Sequence, residues 1–184
     1  MRVIHTIVAL VLFLLPALPA AADQNDPRLD GLFGQLREVP DPVTAQGIEA
    51  QIWDLWTTHE DEAINGLMEQ GLFAMGRRDY LEALEVFEVM VVQAPSFAEG
   101  WNKRATVHWR LGNHQHSLAD IARTLALEPR HFGALSGRGL VYTELEEWDM
   151  ALDSFEAALA VNPTMRGARA NAEAIRHLLQ NREI

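Results

Sequence analysis

Lys103 is the only lysine in the chain. It lies in the run Asn102-Lys103-Arg104-Ala105-Thr106-Val107-His108-Trp109-Arg110, among an amide, a hydroxyl, an indole and a guanidinium. At 100° per residue, Asn102, Lys103, Thr106, Trp109 and Arg110 fall on one side of a helix, opposite Trp101, Ala105 and His108. A cation beside an amide can fix a carboxylate, and tryptophan and arginine are enriched where binding energy concentrates. The chemistry on offer is recognition.

Other reactive side chains do not assemble into a catalytic or metal pattern. The chain contains no Cys, so disulfides, thiolate ligands and a Cys nucleophile are excluded. His59, His108, His114, His116, His131 and His177 are scattered, whereas a zinc site wants three or four converging donors. Gly137-Arg138-Gly139 falls inside a helical pattern with no strand before it, so it is not a phosphate loop. No nucleophile stands beside a base at a recognisable motif. Asp and Glu number 26 against 15 Lys and Arg, a net charge of −11, which repels a phosphate backbone and argues against nucleic acid as partner.

The elements that must position the Lys103 face repeat. Pro95, Pro129 and Pro163 are 34 residues apart, and Gly71, Ala105 and Gly139 recur in the same register. So do Ala83, Ser117 and Ala151, Leu84, Leu118 and Leu152, and Phe87, Ile121 and Phe155. This period predicts three helix hairpins over about 64–97, 98–131 and 132–165, stacked so that one side forms an extended concave surface. Helix partners approach closely only where both are small, so Gly139 should face Ala151, with Phe87, Ile121 and Phe155 filling the space between successive hairpins. Asp79 and Asn113 suit N-caps, Gly112 suits a helix C-terminus, and Ser96 with Glu99 reads as a capping box. On the side turned inward, the first hairpin adds Met68 and Leu72, and the third adds Ser136 and Leu140.

Before the repeats, Asp26-Pro27 and Asp41-Pro42 open two helices, expected to cover the exposed end of the stack. After Pro163 a helix over 164–181 should lie on the last hairpin through Ala170, Ala174, Ile175, Leu178 and Leu179. The first 22 residues have the order of a secretory signal peptide: Arg2, the apolar run Ile7 to Leu15, the breakers Pro16 and Pro19, then Ala20-Ala21-Ala22. Cleavage is expected before Asp23, giving a periplasmic or secreted protein. The run is shorter than the ~18–20 apolar residues of a spanning helix, so membrane contact would come only through an uncleaved leader.

The columns resemble the tetratricopeptide repeat, W-x2-L-G-x2-Y, then A-x3-F, then P. Leu135, Gly139, Tyr142, Ala151, Phe155, Ala158 and Pro163 match best. Leu67, Gly71, Ala83, Phe87 and Pro95 match in the first copy, and Trp101, Ala105, Ser117, Ile121 and Pro129 in the second. Gln70, Arg104 and Arg138 stand where the pattern has leucine. More narrowly, the run from Asp26 to Ala170 resembles exported repeat proteins of α-proteobacteria. The resemblance implies an all-α fold: a right-handed α-solenoid of three hairpins, with an N-terminal helical pair and a C-terminal capping helix. Some such domains grip a peptide's terminal carboxylate with a set of Lys, Asn and Arg. The corresponding places here hold Met68, Leu72, Lys103, Gly133 and Gly137, so only Lys103 remains of that set.

The reading is a non-enzymatic protein–protein interaction module of the bacterial cell envelope, monomeric and without cofactor. It would hold a peptide across Met68, Leu72, Asn102, Lys103, Thr106, Trp109, Arg110, Ser136 and Leu140. The alternative is a structural subunit of a self-assembling envelope complex.

Overall fold

The computed structural model describes residues 23–39 and 41–182. The expected export segment therefore lies outside the described residues. Nine helices are present among the described residues: α1 (Arg28–Glu38), α2 (Pro42–Thr57), α3 (Glu62–Gly76), α4 (Tyr80–Gln93), α5 (Ala98–Arg110), α6 (His114–Leu127), α7 (Phe132–Glu144), α8 (Trp148–Val161) and α9 (Arg166–Arg182). None is long and apolar enough to cross a membrane. Helices α3/α4, α5/α6 and α7/α8 form three hairpins that stack in chain order, and α9 lies on α8.

The turn inside each hairpin is the same structure three times. Arg78, Gly112 and Glu146, one repeat apart, have φ of 63°, 74° and 59°. The next amide reaches back five residues: Asp79 to the Ala74 carbonyl, Asn113 to His108 and Glu147 to Tyr142, at 2.8–2.9 Å. This is the Schellman ending, which favours glycine at the left-handed residue. Only Gly112 meets that preference without strain. Asp79 then caps α4 through the Glu82 amide at 3.1 Å. Asn113 makes no such side-chain bond at α6.

Within each hairpin a large side chain lies on a small one. A Cβ on Gly139 would stand 2.7–2.8 Å from the Phe155 ring, and Gly71 is covered by Phe87 in the same way. Each phenylalanine thus lies on the glycine of its own hairpin while sharing a cluster with the element that follows, and the Phe155 ring, not Ala151, is the nearest neighbour Gly139 meets. In the second hairpin Ala105 and Ile121 share one cluster, and the Ser117 hydroxyl donates to the Ala105 carbonyl at 2.9 Å.

Three local expectations are corrected. Ser96 makes no capping bond, and α5 starts at Phe97 without a side-chain cap, because the Glu99 carboxylate is drawn inward instead. Helix α9 buries Ala168, Ala172 and Ile175, while Ala170 and Ala174 are exposed. The apolar stripe at i, i+4, i+7 thus begins two residues earlier than expected.

The third correction concerns α1 and α2. Asp41 caps α2 through the Thr44 amide at 2.8 Å, with Pro42 at the first turn as expected. The Asp26 carboxylate accepts the Arg28 amide at 2.9 Å at the start of α1. The pair, however, does not cover the open end of the stack. It runs along the edge formed by the turns between repeats. Gln24 exchanges bonds with the Ser96 carbonyl (2.7 Å) and the Ala98 amide (3.1 Å). Arg130 reaches Asp30 at 2.6 Å and lies over the Phe33 ring. Asn162 and Thr164 both donate to Glu49, at 2.9 and 3.0 Å. Leu29, Phe33, Leu36, Ile48, Ile52, Leu55 and Trp56 form the core beneath, joined by Phe132 of α7. At that edge the apolar face of α2 packs on Phe132 and His131.

Candidate functional site

Helix α2 enters the concave side, which changes the fate of Lys103. Trp56 stacks on His131 with centroids 4.1 Å apart, and Trp53 stands edge-on to both His131 and Phe132. A Cβ on Gly133 would lie 2.7 Å from the Trp53 ring, so the glycine is the notch that admits it. The Lys103 ammonium lies 5.2 Å from the Trp53 centroid and 2.7 Å from Glu99 Oε1.

Glu99 is 1% exposed. Its other oxygen accepts from Asn102 at 3.0 Å and from His131 Nε2 at 2.8 Å. His131 Nδ1 accepts the Ala134 amide at 3.0 Å, capping α7, which leaves Nε2 to carry the proton given to Glu99. Burial alone would push the Glu99 carboxyl up. The Lys103 ammonium and then the His131 bond outweigh it and hold the group below the usual carboxylate range. Lys103 is therefore the counter-ion of a buried acid beneath α2, not a free cation awaiting a ligand carboxylate.

The rest of the face is open. Between α5 and α7 lies a pocket of about 210 Å³, walled by Asn102, Thr106, Trp109, Ser136 and Leu140, with Ile121 of α6 beneath. A Cβ on Gly137 would meet only the Ile121 methyl at 4.0 Å, so this glycine keeps the space clear. Ser136, Leu140 and Met165 also line a wider recess of about 550 Å³ between α7, the start of α9 and Val43, Gln46 and Glu49 of α2. The two adjoin as one trough, apolar at one end and polar at the other. At the apolar end the Trp109 indole donates to Glu144 at 2.8 Å, and the Arg110 guanidinium lies 4.4 Å over its ring.

Five of the nine expected residues thus meet at one pocket: Asn102, Thr106, Trp109, Ser136 and Leu140. Arg110 is exposed at its rim, and Leu72 is 40% exposed on α3. Met68 is corrected to core. It is 3% exposed, in one buried cluster with Phe87, Met90 and Phe97 of its own repeat and Val107 of the next. Glu144 accepts the Trp109 indole bond and sits 3.5 Å from His114. Ile121 gave no sequence signal as a site residue, because it belongs to a column that also serves the fold, whereas Gly137 stood in one of the carboxylate-gripping places but had no side chain to mark it. His108 and His116 stack at 5.1 Å, but no group of three or more candidate ligands that could hold a metal occurs among the described residues.

The repeat geometry has counterparts. The tetratricopeptide-repeat sequence profile matches residues 113–180. A TPR repeat-containing protein of the α-proteobacterium Rhizobium etli is 34% identical over 149 residues, 81% of this chain and 73% of that protein. The chain belongs to the tetratricopeptide-repeat family. Among solved structures, the first TPR of Spaghetti (RPAP3), bound to an HSP90 peptide, has a TM-score of 0.63 at 21% identity, covering 66% of this chain and 96% of that one. The TPR2B domain of yeast Sti1, in complex with an Hsp70 segment, has 0.60 at 18%, covering 64% and 99%. The fold is accordingly a right-handed α-solenoid of three repeats.

Proposed function

We propose that the protein is a non-enzymatic interaction module that holds an extended peptide segment of another protein in the trough along α7. The observation that carries this is the apolar pocket between α5 and α7, open on the concave face and left empty by α2. Its size suits one apolar side chain of the ligand, anchored against Trp109, Leu140 and Ile121. The neighbouring recess offers Gln46, Glu49 and Asn171 to the peptide backbone that follows. The peptide complexes of the two neighbouring folds support a peptide as ligand. The pairing of Lys103 with Glu99 argues against a terminal carboxylate bound there.

The signal-peptide order expected in residues 1–22 supports a periplasmic or extracellular site for this module, as an adaptor of the bacterial envelope. An N-terminus at Asp23 in the mass of the exported protein would support that placement, and an intact Met1 would remove it.

Gly137→Leu tests the binding reading, since it fills the pocket where a Cβ meets no close neighbour. An extended-peptide library is screened against the protein, and binding is followed by tryptophan fluorescence. The variant should melt within a few degrees of the parent and lose at least tenfold in affinity for the selected peptides. Selected peptides that bind parent and variant equally would move the site off this pocket.

A further inference from the structure

The outward stripe of α3 is a repeat-to-repeat contact surface on which no described residue packs as α4 does on α5. On α5 the corresponding stripe is covered by α4: a Cβ on Gly100 would lie 3.1 Å from the Met90 sulfur, and Val107 is fully buried in the same cluster as Met90. On α7 it is covered by α6, with Ala134 and Val141 each 1% exposed and packed with Ile121 and Leu125. One repeat earlier the same positions are Gly66 and Phe73. A Cβ on Gly66 would meet nothing within 4 Å, and Phe73 is 66% exposed. Terminal repeats of soluble arrays ordinarily carry a polar outer face. Here α1 and α2, which could have covered it, lie along the edge of the stack.

The chemistry of the stripe specifies its cover. Along one side of α3 and its C-terminal turn the order is Glu62, Gly66, Glu69-Gln70, Phe73 and Arg77, all exposed. The midpoint between Gly66 and Phe73 coincides with that between Glu62 and Arg77, at the Glu69–Gln70 bond. A second copy of the helix turned antiparallel about that point sets each Phe73 into the gap over the other's Gly66. It also sets each Arg77 against the other's Glu62, and each Glu69 against the other's Gln70. Such self-complementarity is what a two-fold interface requires, since each residue must find its partner's mate in an identical surface. Glu62 has no ion-pair partner among the described residues, and Arg77, paired with Glu82, remains half exposed over the Phe73 ring.

We propose that the α3 face is the interface of a two-fold dimer, in which Phe73 of each copy fills the notch at Gly66 of the other and Glu62–Arg77 pairs close both ends. Because the contact is isologous, assembly stops at two chains. The groove lies on another side of the hairpins and stays open.

The test is sedimentation velocity of the purified protein from about 1 to 300 μM, an interval that spans weak dimers. The wild type should pass from the mass of one chain to that of two and no further. Phe73→Asp should stay at one chain with an unchanged melting midpoint. Glu62→Arg and Arg77→Glu should each weaken the dimer at least tenfold alone, through like charges facing each other. Mixed in equal amounts they should form a dimer again, because each then supplies the charge the other lacks. A wild type of one-chain mass throughout, a Phe73→Asp variant that dimerises normally, or no recovery on mixing would each overturn the proposal.

Discussion

At the scale of single residues, strain and fit are unevenly shared among three repeats of one design. Arg78 and Glu146 hold the left-handed conformation that Gly112 holds without a side-chain clash. A non-glycine residue there costs about 1–2 kcal/mol, part of which is returned by its stiffer unfolded chain. Glu146→Gly should therefore raise stability by roughly 0.5–1 kcal/mol, and Gly112→Ala should lower it by about 1 kcal/mol, read from thermal melts at the helical dichroism minimum. Gly139 is constrained by contact rather than by backbone angle. Gly139→Ala pushes the Phe155 ring and should cost about 1–3 kcal/mol. Adding Phe155→Ile recreates the Ala105–Ile121 pairing of the second repeat, so the double variant should be more stable than the sum of the two single losses. Additive losses would mean that the ring is not what opposes the new methyl.

One titrating group belongs at this scale as well. Burial lowers the His108 pKa below its ordinary 6.5, opposed by Asp120 and assisted by Arg104 and His116. The unfolded chain therefore takes up the proton first as pH falls. The stability that this group contributes is complete above about pH 6.5 and declines as pH drops through its lowered folded value. Melting midpoints should fall from pH 7.5 to pH 5.5, and His108→Gln should flatten that slope.

At the scale of elements, α2 is the piece whose position matters most. Trp56 is 1% exposed, stacked on His131 and packed on Phe132, so Trp56→Ala should cost about 3–5 kcal/mol. Lys103→Ala strands the Glu99 carboxylate beneath α2. Stranding a buried charge costs about 3–5 kcal/mol in full, and less here because Asn102 and His131 remain. A Lys103→Ala protein that melts like the parent would show the pair to be dispensable. The hairpins themselves were legible because a 34-residue spacing forces the same small and large residues to meet three times. The α2 docking was not. Its contacts join Glu49 to Asn162 and Thr164, far apart in sequence, and its tryptophans read equally well as a local apolar face. Lys103 misled for a related reason. A lone lysine stands out in composition, but Glu99, the acid that claims it, looked like a capping residue. Trp109, Ser136 and Leu140 were legible because the helical period alone separates them from the packing columns.

At the scale of the molecule, the array should open from one end. Among the described residues the first hairpin packs chiefly on α5, and Phe73 on its outer face is 66% exposed. The second and third hairpins are joined to each other and to the N-terminal pair, whereas the first is tied to the N-terminal segment only at its last turn, through Gln24. In dilute solution, amide exchange in α3 should therefore be faster than in α5 or α7, through sub-global opening of the first hairpin. Equal protection in all three helices would instead indicate one fully concerted unit.

A stack of hairpins is mechanically a coil, able to stretch or tighten by small rotations shared among its repeats, and the width of its inner face changes with its pitch. Gln24, Asp30 and Glu49 fasten the three turns at Ser96–Ala98, Arg130 and Asn162–Thr164 to a single two-helix splint. A tensile load along the coil would have to shear those attachments in parallel rather than open one repeat after another. The splint fixes the spacing of successive turns before any ligand arrives. On the proposed binding function the trough is a gauge of set width, expected to reject a segment too bulky for it instead of flexing to take it in.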